Sequence, residues 1–182
     1  MKGRYEVRLS GSGGQGLILA GKILAEAAAI YDGKNATQSQ SYGPEARGGA
    51  SRSEVIISEE DIDYPKAVDI DLLLAMTQEA CDKYWRDLKE GGTLIIDSRF
   101  VQNVPQGNFR SVPLPISEIA EREVGRDIVA NIVALGVIAQ LSGVVSSSAM
   151  ESAILSRVPK GTEELNLKAY RAGVEAAQRL PA

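Results

Sequence analysis

Tyr5-Glu6-Val7-Arg8-Leu9, the loop Ser10-Gly11-Ser12-Gly13-Gly14-Gln15-Gly16, and the run from Leu17 to Ile30 decide the fold. The first piece alternates apolar and charged residues, the period of a half-buried strand. The last repeats Leu17, Ile18, Ala20, Leu24, Ala27, Ala28 and Tyr31 at helical spacing and stops at Asp32-Gly33. Between them stands G-x-G-x-x-G, with four glycines in six residues. A strand, a glycine turn and a helix open an α/β unit. Glycines permit the sharp turn and bring bare backbone N–H groups to a ligand, and the helix N-terminus adds donors and partial positive charge for a phosphate. The bland alternative is a tight turn that needs glycine only for packing.

Downstream, Ala36–Ser41 reads as a polar second strand, Arg52–Ser58 as a third and Ile70–Met76 as a buried fourth. Thr77 caps a helix expected over Gln78–Lys89 and ended by Gly91-Gly92. Thr93–Asp97 is another strand and Phe109–Leu114 a weaker one. Helices follow at Ile116–Val124, at Asp127–Ser142, from a capping box Ser148-x-x-Glu151 to Pro159, and over Thr162–Leu180. Strands alternating with helices early, and helices late, predict an α/β fold: a three-layer, Rossmann-like domain with a mostly parallel or mixed sheet and a helical C-terminal part. The 182 residues suit a single domain, 1–182. Ala130, Val133, Leu135, Val137 and Ile138 surround much of one helix, which is therefore buried in its own core or under a partner.

Composition removes whole classes of function. Twenty basic against 24 acidic side chains give a net charge of −4, wrong for a non-specific nucleic-acid binder. Histidine is absent, which excludes imidazole catalysis, a Ser-His-Asp triad and His-ligated metal. Cys81 is the single cysteine and alone holds neither an iron–sulfur cluster nor zinc. A lone thiol fits a reducing cytoplasm, the expected location. The greasy stretch Ile128–Leu141 contains Asn131 and Gln140 and is short for a membrane span.

Two loops carry the chemistry. A dinucleotide site also wants an acid at the tip of the second strand. Ala36–Tyr42 contains none, which argues against NAD. The second loop, Ser39 to Gly49, is expected beside the first, outside the carboxyl ends of the strands. In and after it, Arg47 and Arg52 suit phosphate or carboxylate, Glu45 can pair with Arg47 or accept a hydroxyl, and Tyr42 offers a stacking face. Equally, its Glu and Arg can satisfy each other at a subunit contact. Asp61, Asp63, Asp69, Asp71 and Asp82 read as scattered, mostly solvated acids, while Tyr84, Trp85, Leu88 and Tyr170 read as packing residues.

Gly13-Gly14-Gln15-Gly16 combined with Ser41-Tyr42-Gly43-Pro44-Glu45-Ala46-Arg47-Gly48-Gly49 resembles the gamma subunit of 2-oxoacid:ferredoxin oxidoreductases, and the chain length agrees. The second stretch, with Asp63-Tyr64-Pro65, is most similar to the 2-oxoglutarate branch. The resemblance implies a multi-subunit enzyme that decarboxylates a 2-oxoacid with coenzyme A to acyl-CoA, carbon dioxide and reduced ferredoxin. It assigns thiamine diphosphate with magnesium to alpha and beta chains, and iron–sulfur clusters to beta or a small delta chain. It implies no catalytic residue and no metal ligand here. Coenzyme A contacts carry over to Gly11, Gly13, Gly14, Gln15, Gly16, Ser41, Tyr42, Glu45, Arg47, Gly48 and Gly49. A stand-alone nucleotide-binding protein and a purely structural assembly subunit are the competing readings.

Overall fold

The computed structural model describes residues 3–41 and 50–181. Six strands form one sheet in the order β2-β3-β1-β4-β5-β6, with β1 Arg4–Ser12, β2 Asn35–Ser41, β3 Ala50–Ser58, β4 Ile70–Ala75, β5 Leu88–Asp97 and β6 Arg110–Leu114. β1, β4, β5 and β6 run parallel, and β3 lies antiparallel between β1 and β2. Helix α1 (Leu17–Glu26) leads from β1 to β2. That crossover skips one position, which β3 fills. The neighbour of β1 where a dinucleotide fold carries its ribose-binding acid is thus a reversed strand.

Alternation along the strands sorts the core into two layers. Leu72, Leu74, Val7, Leu9, Val55 and Ile57 face α1 and the C-terminal helices α4 (Ala130–Ser142), α5 (Ser147–Arg157) and α6 (Glu163–Gln178). Leu73, Ala75, Leu94 and Ile96 face the two-turn helix α2 (Gln78–Tyr84) through Ala80, Cys81 and Tyr84. α3 (Ile116–Val124) begins where expected, its first turn tied to Asp97, which accepts from Ser117 N at 3.2 Å.

Every residue of α4 from Ala130 to Ala139 is buried within this chain, so α4 needs no partner to cover it. It crosses α6 at glycines. A Cβ on Gly136 would stand 2.2 Å from the carbonyl oxygen of Tyr170, and one on Gly173 would stand 2.0 Å from that of Val133. The two backbones touch there. Tyr170 is buried beside this crossing, with its hydroxyl 3.1 Å from Ser147 Oγ.

Three elements depart from the sequence expectation. The helix after Thr77 ends at Tyr84, gives a 3-10 turn at Trp85–Asp87, and becomes β5 at Leu88. Gly91-Gly92 therefore lies inside a strand and ends no helix. Long-range ion pairs override the local pattern: Asp87 is drawn to Arg8 at 2.5 Å, and Lys89 to Asp71. The glycines serve a bulge, across which pairing jumps from Ile70–Leu88 to Leu72–Thr93. Asp71 is consequently a buried anchor rather than a solvated acid, and also accepts from Glu6 N at 2.8 Å. α5 is capped two positions before the expected box. Ser146 is the cap, its Oγ accepting from Ala149 N at 3.1 Å, while Glu151 pairs with Arg171 of α6 at 2.8 Å. Asp32 selects Ser146 by accepting from both its N and its Oγ at 2.7 Å. Finally, α1 widens into a π-helix at Ala27–Tyr31 before Asp32.

Candidate functional site

Strand β1 runs further than its alternation suggests, because Gly11 and Ser12 stay in register opposite Ser51 and Ala50 of β3. The turn that follows is held from within. Gln15 folds back so that its Oε1 accepts from Ser12 N at 2.8 Å. Gly11 leaves room for this, since a Cβ there would meet Gln15 Oε1 at 2.2 Å and Leu17 Cδ1 at 2.8 Å. Gly16 closes the loop as the cap of α1, at φ 72°, and its carbonyl accepts from Ala20 N at 3.0 Å. The same carbonyl accepts from Asn131 Nδ2 of α4 at 3.0 Å. A Cβ on Gly16 would strike that Nδ2 at 2.5 Å. A residue 115 positions away thereby fixes the loop.

The four glycines separate by role. Gly11 and Gly16 are required by this chain's own packing. Gly13 and Gly14 are exposed, and a Cβ on either would meet nothing within 4 Å. Gly14 has φ 88°, which glycine adopts without strain. Gly13 has no positive φ and no crowded neighbour, so among the described residues nothing requires a glycine there. The first turn of α1 holds no acid, and its cap supplies no side-chain acceptor. A rigid loop thus presents bare backbone outward beside a helix end with free N–H donors, a surface suited to an anion.

Ser41 ends β2 opposite Arg52, and Ala50 begins β3 opposite Ser12. Ser41 and Ala50 both lie at the end of the sheet where the glycine loop sits. Tyr42, Glu45, Arg47, Gly48 and Gly49 lie outside the described residues. Arg52 does not join the glycine loop. It points to the α2 side, 3.4 Å from Glu54 and with its guanidinium 5.6 Å from the centre of the Tyr84 ring. Arg8, almost fully buried, shares Glu54 at 3.1 Å and stacks on the same ring at 5.1 Å. These cations brace the α2 layer.

Sequence reasoning missed the wall next to the loop. A groove of about 380 Å³ runs from Gly14 and Gly16 past Leu19, Ile128, Ile132 and Leu165, with Asn131, Asn166 and Arg126 as its polar groups. Asn131 had one visible signal, a polar residue inside a greasy helix. Arg126 and Ile128 had none. Cys81 is buried under α2, and burial, helped by Asp82, pushes its thiol up to about 11. It is protonated and unreactive at neutral pH. Among the described residues, no group of three or more His, Cys, Asp or Glu side chains is placed to hold a metal, and no helix is long and apolar enough to cross a membrane.

The family model described as pyruvate ferredoxin/flavodoxin oxidoreductase matches residues 6–176. The 2-oxoglutarate synthase subunit KorC of Methanocaldococcus jannaschii is 53% identical over 182 residues, covering 99% of this chain and 97% of that protein. The gamma subunit of a keto/oxoacid ferredoxin oxidoreductase from Geobacter sulfurreducens superimposes with a TM-score of 0.89 at 60% identity, over 97% of this chain and 99% of that one. The 2-oxoglutarate:ferredoxin oxidoreductase of Magnetococcus marinus, solved with 2-oxoglutarate, coenzyme A and succinyl-CoA bound, contains the same fold. It gives a TM-score of 0.86 at 23% identity, covering all of this chain and 32% of that one.

Proposed function

The chain belongs to the pyruvate ferredoxin/flavodoxin oxidoreductase family, as a gamma subunit of the 2-oxoglutarate:ferredoxin oxidoreductase kind, and from that premise we propose that its glycine loop serves the coenzyme A side of the active site. It is one subunit of a multi-subunit oxidoreductase. In this reading the complex takes 2-oxoglutarate, coenzyme A and oxidised ferredoxin to succinyl-CoA, carbon dioxide and reduced ferredoxin. Two electrons leave to ferredoxin, and the thiol proton goes to solvent. Thiamine diphosphate with magnesium resides in alpha and beta chains, and the iron–sulfur clusters in beta or delta. The residue inventory supports that division: a cluster needs several thiolates, and this chain has one buried cysteine and no histidine. The subunit contributes binding, not redox chemistry.

The observation that carries the reading is Gly13. Among the described residues it is exposed, unstrained and uncrowded, so the backbone there is open to a ligand. Coenzyme A carries a pyrophosphate and a 3′-phosphate, which match backbone donors at a helix N-terminus and an arginine such as Arg47. The test is steady-state kinetics of the reconstituted complex carrying Gly13→Asp or Arg47→Ala. Each variant should raise KM for coenzyme A by about tenfold or more, the loss of one charge-assisted contact, with KM for 2-oxoglutarate unchanged. A normal KM for coenzyme A in an intact complex overturns the reading. Variants that fall out of the complex instead favour the loop as a seat for a neighbouring chain.

A further inference from the structure

Arg52 is left short of a carboxylate. Its guanidinium, that of Arg8 and the ammonium of Lys83 lie 5.6, 5.1 and 5.4 Å from the centre of the Tyr84 ring. Arg8 claims two carboxylates. It pairs with Asp87 at 2.5 Å, and Glu54 Oε2 accepts from its Nε at 3.3 Å and its Nη2 at 3.1 Å. Glu54 Oε1 stays 3.4 Å from Arg52 Nε, without a hydrogen bond. That Nε is the one buried side-chain nitrogen or oxygen without a partner among the described residues, so Glu54 does not satisfy Arg52. The two Nη groups make no hydrogen bond among the described residues either. They are open to solvent, the side chain being 34% exposed. Lys83 is exposed and has no ion pair among the described residues.

The strands around Arg52 are half-covered. Ser41 and Ser39 of β2 stand opposite Arg52 and Glu54 and share their face. Ser39 is exposed and Ser41 half-buried. The far face of the sheet is closed by α1 and the C-terminal helices, whereas the helix on this face is the two-turn α2. Mostly parallel sheets are covered on both faces. A small anion would neutralise Arg52 and leave β2 bare, while a protein segment with a carboxylate does both jobs. The chain is one subunit of a multi-subunit oxidoreductase, so such segments are at hand. We propose that the β2–β3 face beside Tyr84 docks an acidic segment of a different subunit of the complex. One of its carboxylates takes the Nη edge of Arg52, with Lys83 alongside. Arginine suits the role, because its planar fork grips a carboxylate at two points and the tyrosine ring holds the fork in place. Arginine and tyrosine are also the side chains that anchor protein interfaces. This surface is distinct from the glycine loop, which Arg52 does not join.

Arg52→Lys, made in the assembled complex, keeps the charge and puts a primary amine at the site. A water-soluble carbodiimide then joins amine to carboxylate as an amide, the lost water converting the reagent to its urea, and does so only where the two groups touch. Peptide mass spectrometry should find position 52 linked to an Asp or Glu of a different subunit. Arg52→Glu should raise the dissociation constant of this chain from the complex by about tenfold or more, because like charges then meet at a largely covered contact. Lys83→Glu should raise it by about threefold, the scale of an exposed pair. Lys83 is exposed and bonds nothing among the described residues, so its reversal reports docking rather than folding. The proposal is overturned if position 52 forms no link, or links only to this chain's own carboxylates, such as Glu54, or to a second copy of it. It is also overturned if either reversal leaves the dissociation constant at its wild-type value. Neither readout involves coenzyme A, so failure here leaves the glycine-loop reading standing.

Discussion

Two pairs of glycines in this chain do opposite things. Gly136 and Gly173 lie at the crossing of α4 and α6, where each missing side chain is replaced by the backbone of the other helix at 2.0 to 2.2 Å. Gly13 and Gly14 lie at the tip of the loop after β1, where the missing side chains leave open space. The first pair is explained by the molecule itself. In the second, Gly14 answers to its backbone angle of 88°, and nothing among the described residues requires a glycine at Gly13. A glycine-rich motif therefore cannot be read as one feature. Within G-x-G-x-x-G the outer glycines Gly11 and Gly16 behave like the interior pair, and the middle ones do not.

Substitution breaks the comparison in a graded way. Gly136→Ala has the largest expected effect. Its Cβ must push α4 and α6 apart, and chemical denaturation of the purified chain should show a loss of about 3 kcal/mol or more. Gly16→Ala comes next, because φ 72° and the contact with Asn131 both resist a side chain. A loss of about 1–3 kcal/mol is expected in the same assay. Raising pH tests the interior without a substitution. Folded Cys81 keeps its proton to about 11 against an ordinary value of 9.0, and folded Tyr5 to about 12 against 10.0, burial being the main cause for each. The folded state then binds protons that the unfolded chain has released, so stability falls as pH climbs above 9. A Tm series from pH 7 to 11 should stay level below 9 and decline above it. Gly13→Ala closes the order, changing stability by less than about 0.5 kcal/mol. A large loss there would mean that the loop tip is packed like the interior.

The sequence carried the element order because period-2 and period-3.6 patterns are local. Leu72 and Leu74 against Leu73 and Ala75 already described a strand buried on both faces. Errors arose where distant partners outweighed local preference. The 85–92 segment follows Arg8 and Asp71, and Asp32 chose Ser146 over Ser148 as a cap. The place of β3 between β1 and β2 is set by pairing across the sheet, which no local window contains. The site divides the same way. The glycine loop and its strand–helix context were legible. Asn131, which fixes the loop, and Arg126 and Ile128, which flank it, come from chain more than a hundred residues on and meet it only through the packing of α4 against α1.

The most direct test of the account is amide hydrogen exchange across Gly13–Leu19 in the assembled complex, with and without coenzyme A. If bare backbone in this loop is kept for a phosphate, these N–H groups exchange freely without coenzyme A and slow sharply when it is added, while the α4–α6 crossing is protected throughout. Exchange in Gly13–Leu19 that does not respond to coenzyme A, whether fast or already blocked by a neighbouring chain, would contradict it.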